Sequence, residues 1–180
     1  MNTTRLQSRI MLGTVHRSLN SVNKAALIQK IIASLDAELE LAAKSARAAH
    51  EEATHEQSKA ENKYDTRGLE ASYLAHGQSR QAAETLQARK EFSMMKPHPF
   101  GRDDAIDVGA LVELQGTGDS SLYFIGPRAG GTEILHQKRT IMVITPQSPL
   151  GRQLLGRKQG DKLSIEVGAT RTNYVVSRVE

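Results

Sequence analysis

The 180-residue chain has no cysteine and no tryptophan, and its only aromatic residues are three phenylalanines and four tyrosines. Without cysteine there can be no disulfide, no zinc–thiolate site and no thiol nucleophile. So few large side chains also argue against a big globular core. No apolar run approaches the roughly 20 residues that a membrane span requires. Arg5, Arg9 and Arg17 break up any apolar stretch that would form a signal-peptide core. These absences predict a soluble, cytoplasmic protein with no membrane partner.

Proline and glycine are scarce in one part of the chain and concentrated in another. Residues 19–93 contain no proline and two glycines, Gly68 and Gly77, and are rich in Ala, Glu, Gln, Arg, Lys and Leu. Those residues favour helix. Residues 96–180 hold all five prolines and eleven of the fourteen glycines. Lys96-Pro97-His98-Pro99 marks the change, because proline ends a helix and stiffens the connection after it. The expected domains are a basic arm over 1–20, a helical hairpin over 21–95 and a small domain over 100–180.

Ile28, Ile32, Leu35, Leu39, Ala42, Ala46, Ala49 and Ala53 form a heptad stripe, the pattern of a coiled coil. The stripe shrinks from Ile and Leu to Ala. A second helical stretch over 62–92 grows in the opposite sense, from Ala71 and Ala75 to Ala82, Leu86 and Phe92. Antiparallel pairing within one chain explains both gradients and predicts Ala46 near Ala75 and Leu35 near Leu86. A dimeric coiled-coil adaptor is the competing reading. A helix over 21–56 would be about 54 Å long.

The second half reads as strands over 108–115, 122–125, 140–145, 162–167 and 173–179, short β-branched runs separated by Gly, Asp, Ser and Pro. A short helix interrupts them, with Ser148 as its N-cap, Pro149 at its first position and Gly156 at its end. The fold class is therefore α+β, an antiparallel coiled-coil hairpin followed by a small α+β domain.

The formal net charge is +4, with +5 in residues 1–35 and −4 in residues 36–70. A basic segment without interleaved aromatics is a weak nucleic-acid signal. It suits an arm touching an acidic partner, with a transit peptide as the alternative. Other chemistry is sparse. His50, His55 and Glu56 lack the companions of a metal site. Ser148 lacks a nucleophile elbow. Gly126-Pro127-Arg128-Ala129-Gly130-Gly131 lacks the Lys-Ser/Thr of a phosphate loop, and a hairpin turn is expected there.

Several runs resemble the C-terminal domain of the GreA/GreB transcript-cleavage factors: Thr145-Pro146-Gln147-Ser148-Pro149-Leu150-Gly151, Leu154-Leu155-Gly156, Gly160-Asp161 and Tyr174-Val175-Val176 with Val179-Glu180. Gly109-Ala110-Leu111-Val112-Glu113-Leu114 and Tyr123-Phe124-Ile125-Gly126-Pro127 extend the likeness over 108–180. Glu61-Asn62-Lys63-Tyr64 is similar to the Glu-Asn-x-x-Tyr of the family's hairpin tip, one residue shorter. The resemblance implies an FKBP-like C-terminal domain and RNA polymerase as partner. It implies that the hairpin enters the polymerase's secondary channel, that nucleic acid is touched only through the polymerase, and that the chain has no independent catalytic site. A prolyl isomerase reading of the same fold needs an aromatic pocket, and Phe100, Tyr123, Phe124 and Tyr174 are too few to line one.

By the same resemblance Glu61 and Asn62 are tip candidates and Ser148, Pro149 and Leu150 the partner-binding candidates; Glu56 and Asp65, nearby acids off the family's register, are the further tip candidates. The family's tip reads Asp-x-x-Glu-Asn, and here Ser58 stands at the aspartate position. Hard oxygen ligands suit magnesium, and a serine hydroxyl is a poorer one than a carboxylate. Two readings stay open: a tip that supports magnesium-dependent transcript cleavage, the ion being held jointly with the polymerase, and a channel occupant that does not cleave. The isolated chain is expected to be a monomer with no cofactor.

Overall fold

A computed structural model describes residues 22–54, 67–116, 118, 120–167 and 170–180. Two long helices, α1 (Lys24–Thr54) and α2 (Arg67–Met94), precede six strands and one short helix. The strands are β1 (Leu111–Gln115), β2 (Ser120–Ile125), β3 (Glu133–His136), β4 (Arg139–Ile144), β5 (Lys162–Val167) and β6 (Thr170–Val179), with α3 (Pro149–Leu154) between β4 and β5. They form one sheet in the order β3-β4-β2-β1-β6-β5, in which β2 and β4 are parallel and every other pair is antiparallel. The architecture is α+β.

Alternation along the strands builds two cores, one on each face. Leu111, Leu122, Phe124, Ile134, Ile141 and Val143 point to the face covered by the root of the hairpin, where Leu27, Ile28, Ile31, Leu35, Ala88 and Phe92 meet them. Val112, Leu114, Ile125, Ile144, Leu163 and Val176 point to the opposite face, closed by Leu154 of α3 and by Ile106. The Phe92 and Phe124 rings lie 6.5 Å apart across the first core. Gly126 makes this approach possible: a Cβ there would lie 2.8 Å from both Phe92 Cζ and Val143 Cγ1.

Helix α1 begins three residues later than the sequence suggests. Its cap is Asn23, whose Oδ1 accepts from the Ala26 N–H at 3.0 Å. The helices run antiparallel, with Arg89 paired to Asp36 and the Thr85 hydroxyl 3.3 Å from Glu38 Oε1. These pairs set Leu35 about level with Ala88. The expected Leu35–Leu86 pairing does not form: Leu35 is buried, and Leu86 lies on the outer face at 57% exposure. The inward positions of α2 are instead Thr85, Ala88 and Phe92. Ala46 and Ala49 are exposed as well. Two helices carrying small residues have too little side-chain mass to close over a seam, so among the described residues tight packing is confined to the root.

In the sheet domain the segment before Leu111 is a turn, with Gly109 at φ +92°, so the first strand is shorter than expected. Strand β3 has no counterpart among the expected strands. It joins β4 through Gln137 and Lys138, both in the left-handed region at φ 51° and 64°. Residues 126–132 do not form the expected hairpin turn. They carry the chain past the end of β4 to β3, two places away from β2.

Candidate functional site

Two regions carry the site residues singled out in the sequence. The tip residues Glu56, Ser58, Glu61, Asn62 and Asp65 lie outside the described residues, as does His55. The other region is α3 and the turn before it.

Ser148 caps α3. Its Oγ accepts from the Gly151 N–H at 3.0 Å and donates to the Thr145 carbonyl at 2.8 Å. The hydroxyl is thereby committed to the backbone, which leaves no nucleophile. Pro149 takes the first helical position, where its missing N–H leaves no bond unmade. Gly156, at φ +79°, ends the turn after the helix. Gly151 is required by contact: its Cβ would fall 1.9 Å from the Thr145 carbonyl oxygen. The helix therefore rests directly on the backbone of the turn that precedes it.

Pro149 and Arg152 are exposed, while Leu150 is half-buried against the second core. The structure thus brings Ser148, Pro149 and Leu150 together but gives them different tasks. Pro149 and Arg152 form the outward surface, and Leu150 anchors the helix beneath it. The Arg152 guanidinium is oriented by the Gln147 carbonyl. Arg157 fixes the far end, donating from Nε to the Gln153 carbonyl at 2.6 Å and from Nη1 to the Lys162 carbonyl at 3.1 Å. Arg152 is not among the sequence candidates, because its outward position follows from the seating of Gly151 and Leu154 beneath α3, which only the structure shows.

Between the hairpin and the sheet domain lies an open cleft of about 560 Å3, lined by Glu38, Gln81, Glu84, Thr85, Arg128 and Gln147 among others. Its Arg128 is tied to Glu91 at 2.7 Å. That hydrogen bond, with a second from Gln87, holds the Glu91 carboxyl below its ordinary range. The pair bridges α2 to the 126–132 segment and keeps the hairpin's base against the sheet. On the other side of the root, Lys30 Nζ donates to the Leu135 carbonyl at 2.8 Å. Next to it His136 is buried, with neither ring nitrogen hydrogen-bonded. Burial, and secondarily the charge of Lys30, lowers its pKa from 6.5.

Among the described residues no three His, Cys, Asp or Glu side chains gather as a metal site, and no helix is long and apolar enough to cross a membrane. The described part thus offers a capped, rigidly seated surface helix and a hairpin whose root is built into the sheet's core. Such an arrangement can bind a partner and hold a projecting element in a fixed direction.

Residues 101–180 match the family model described as "Transcription elongation factor, GreA/GreB, C-term". A search of curated proteins finds no match. Among solved structures, Gfh1 of Thermus aquaticus is 23% identical with a TM-score of 0.37, covering 87% of this chain and 93% of its own. The GreA factor homolog 1 (Gfh1) of Thermus thermophilus is 22% identical with a TM-score of 0.36, covering 89% and 96%. A prokaryotic transcription elongation factor GreA/GreB from Nitrosomonas europaea is 18% identical with a TM-score of 0.36, covering 65% and 94%.

Proposed function

We propose that this chain, a divergent GreA/GreB-like transcription elongation factor whose family domain is residues 101–180, acts by binding RNA polymerase and placing its hairpin in the polymerase's secondary channel. The family-domain match carries the reading. In this reading residues 100–180 dock, residues 21–95 reach into the channel, and residues 1–20 form a basic arm beside the contact. Pro149 and Arg152 supply the outward docking surface, and Ser148 and Leu150 hold it in place. The factor works as a cytoplasmic monomer, meets nucleic acid only through the polymerase, and has no catalytic site of its own.

At the tip, Glu61, Asn62, Glu56 and Asp65 offer hard oxygen donors of the kind magnesium accepts. That donor set fits an ion held jointly with the polymerase, to which bound magnesium would bring charge stabilisation at the scissile phosphate. Ser58 is the weak member, since its neutral hydroxyl stands where the family has a carboxylate. Ser58 favours a factor that occupies the channel and modulates the polymerase over one that cleaves strongly. The Glu61-Asn62 pair supports the second reading, in which cleavage is retained.

The test is binding of the full chain to core RNA polymerase, then a cleavage assay on a backtracked complex. Binding with little cleavage, and more cleavage with Ser58→Asp, is expected. Robust cleavage by the natural chain that Glu61→Gln abolishes without loss of binding would establish the second reading. Absence of polymerase binding would overturn both.

A further inference from the structure

The Arg128–Glu91 pair ties α2 to the sheet domain. Two lysines outside the apolar core tie α1. Lys24, in the first turn, reaches two stretches of chain at once. Its Nζ donates to the His98 carbonyl of the connection and, at 3.1 Å, to the Gly109 carbonyl before β1. The nitrogen also lies 4.7 Å from the centre of the Phe100 ring, against which the His98 ring stands edge-on at 5.1 Å. Two carbonyl oxygens and a ring face all attract positive charge, so this site holds an ammonium. Lys30, about 9 Å further along the helix, donates to the Leu135 carbonyl of β3 at 2.8 Å. Strands β1 and β3 are three places apart in the sheet. One such bond would leave the helix free to swing about it; two, at separate points of one rod, set its direction. Apolar burial holds the root down but is non-directional, whereas a hydrogen bond weakens steeply as its angle opens. From this geometry we propose that Lys24 and Lys30 are positioning residues that aim the hairpin relative to the sheet domain.

The hairpin turns small play at its root into large displacement at its far end. From Lys24 to Thr54, where α1 ends, the rise of about 1.5 Å per residue gives about 45 Å. A swing of about 10° at the root moves that end by about 8 Å. This is more than twice the length of a hydrogen bond. It is enough to misplace the tip in the polymerase's channel, a consequence that rests on the channel reading above. Lys24 is the firmer tie, half-buried and held by two carbonyls and a ring, while Lys30 is exposed and held by one carbonyl. In Lys24→Met and Lys30→Met an apolar stem remains, and the donors and the charge are gone.

The chain has no cysteine of its own, so two introduced cysteines carry spin labels at chosen positions only. Labels at Lys44 on the hairpin and Lys158 on the sheet domain, both exposed, report the angle as a distance distribution in pulsed electron paramagnetic resonance of the full chain. A second pair, at exposed Thr140 and Lys158, reports order within the sheet domain. Lys44 lies about 30 Å along α1 from Lys24, so a swing of about 10° displaces it by about 5 Å. The double variant Lys24→Met/Lys30→Met is expected to broaden the first distribution by about 5 Å or more. Lys24→Met alone should give most of that broadening, Lys30→Met less, and the second pair should not change. Broadening of the first pair by less than about 2 Å in the double variant, or broadening of both pairs alike, overturns the proposal. The free chain is measured without polymerase, so a failure here is distinct from a failure of the channel reading, which absence of polymerase binding would show.

Discussion

Replacing Gly151 by alanine pits two effects of opposite sign against each other. In a helix interior the change from glycine to alanine normally stabilises by about 1 kcal/mol. Here the added methyl carbon would sit 1.9 Å from the Thr145 carbonyl oxygen and 2.9 Å from Ser148 Oγ. The first obstacle is backbone, which cannot rotate aside. To make room, α3 must lift off the turn over 145–148. That breaks the Gly151 N–H to Ser148 Oγ bond, and losing an N-cap costs about 1 kcal/mol. It also disturbs Leu154, which is fully buried in the second core, and forced overpacking of this kind costs about 1–3 kcal/mol. After the propensity gain, Gly151→Ala should destabilise by about 1–3 kcal/mol. Urea unfolding monitored by circular dichroism measures this directly. Affinity for polymerase should fall with it, because the docking surface rests on α3. A variant as stable as the natural chain, or more so, would refute the contact on which this reasoning stands.

Gly126→Ala should cost about 1–3 kcal/mol in the same assay, because its methyl would press on Phe92 and Val143 and pry the hairpin root from the sheet. Ala46→Leu should be nearly neutral, within about 0.5 kcal/mol, since Ala46 is exposed; a large loss would restore a packed seam there. His136 should make stability fall on acidification. Its folded pKa lies below 6.5, so beneath that pH the unfolded chain takes up a proton that the folded chain resists. The contribution is complete above pH 6.5 and lost as pH falls toward the lowered value. His136→Leu should flatten that slope in pH-dependent thermal unfolding, and an unchanged slope would count against it.

How far the sequence foretold the structure depended on how local each signal was. The caps of α3 were legible because Ser148, Pro149 and Gly156 act within a few residues of themselves. The two helices were legible from composition and their antiparallel sense from the size gradients, but the Leu35–Leu86 pair those gradients predict does not form. The inward face of α2 was not, because Thr85 is buried with Glu38 as its partner while Leu86 faces outward. A polar residue in the seam misleads any reading that tracks apolar residues alone. Strand β3 escaped notice for a related reason. A two-residue turn with both residues at positive φ is usually announced by Asn-Gly, and here Gln137-Lys138 adopts it without that signal. The bond from Lys24 Nζ to the Gly109 carbonyl joins residues 85 positions apart and leaves no local trace. Of the candidate sites, α3 was readable as an element, but the split between outward Pro149 and anchoring Leu150 needed the packing of α3 on the sheet.

The central claim is that this domain docks on RNA polymerase with the hairpin's far end in the secondary channel. A photo-reactive amino acid at Ser58 tests it most directly, by cross-linking to core polymerase and mapping of the adducts. Adducts beside the catalytic centre, lost when Pro149→Glu and Arg152→Glu are combined, are the expected result. Adducts scattered over the polymerase's outer surface, or adducts that persist in the double variant, would contradict it.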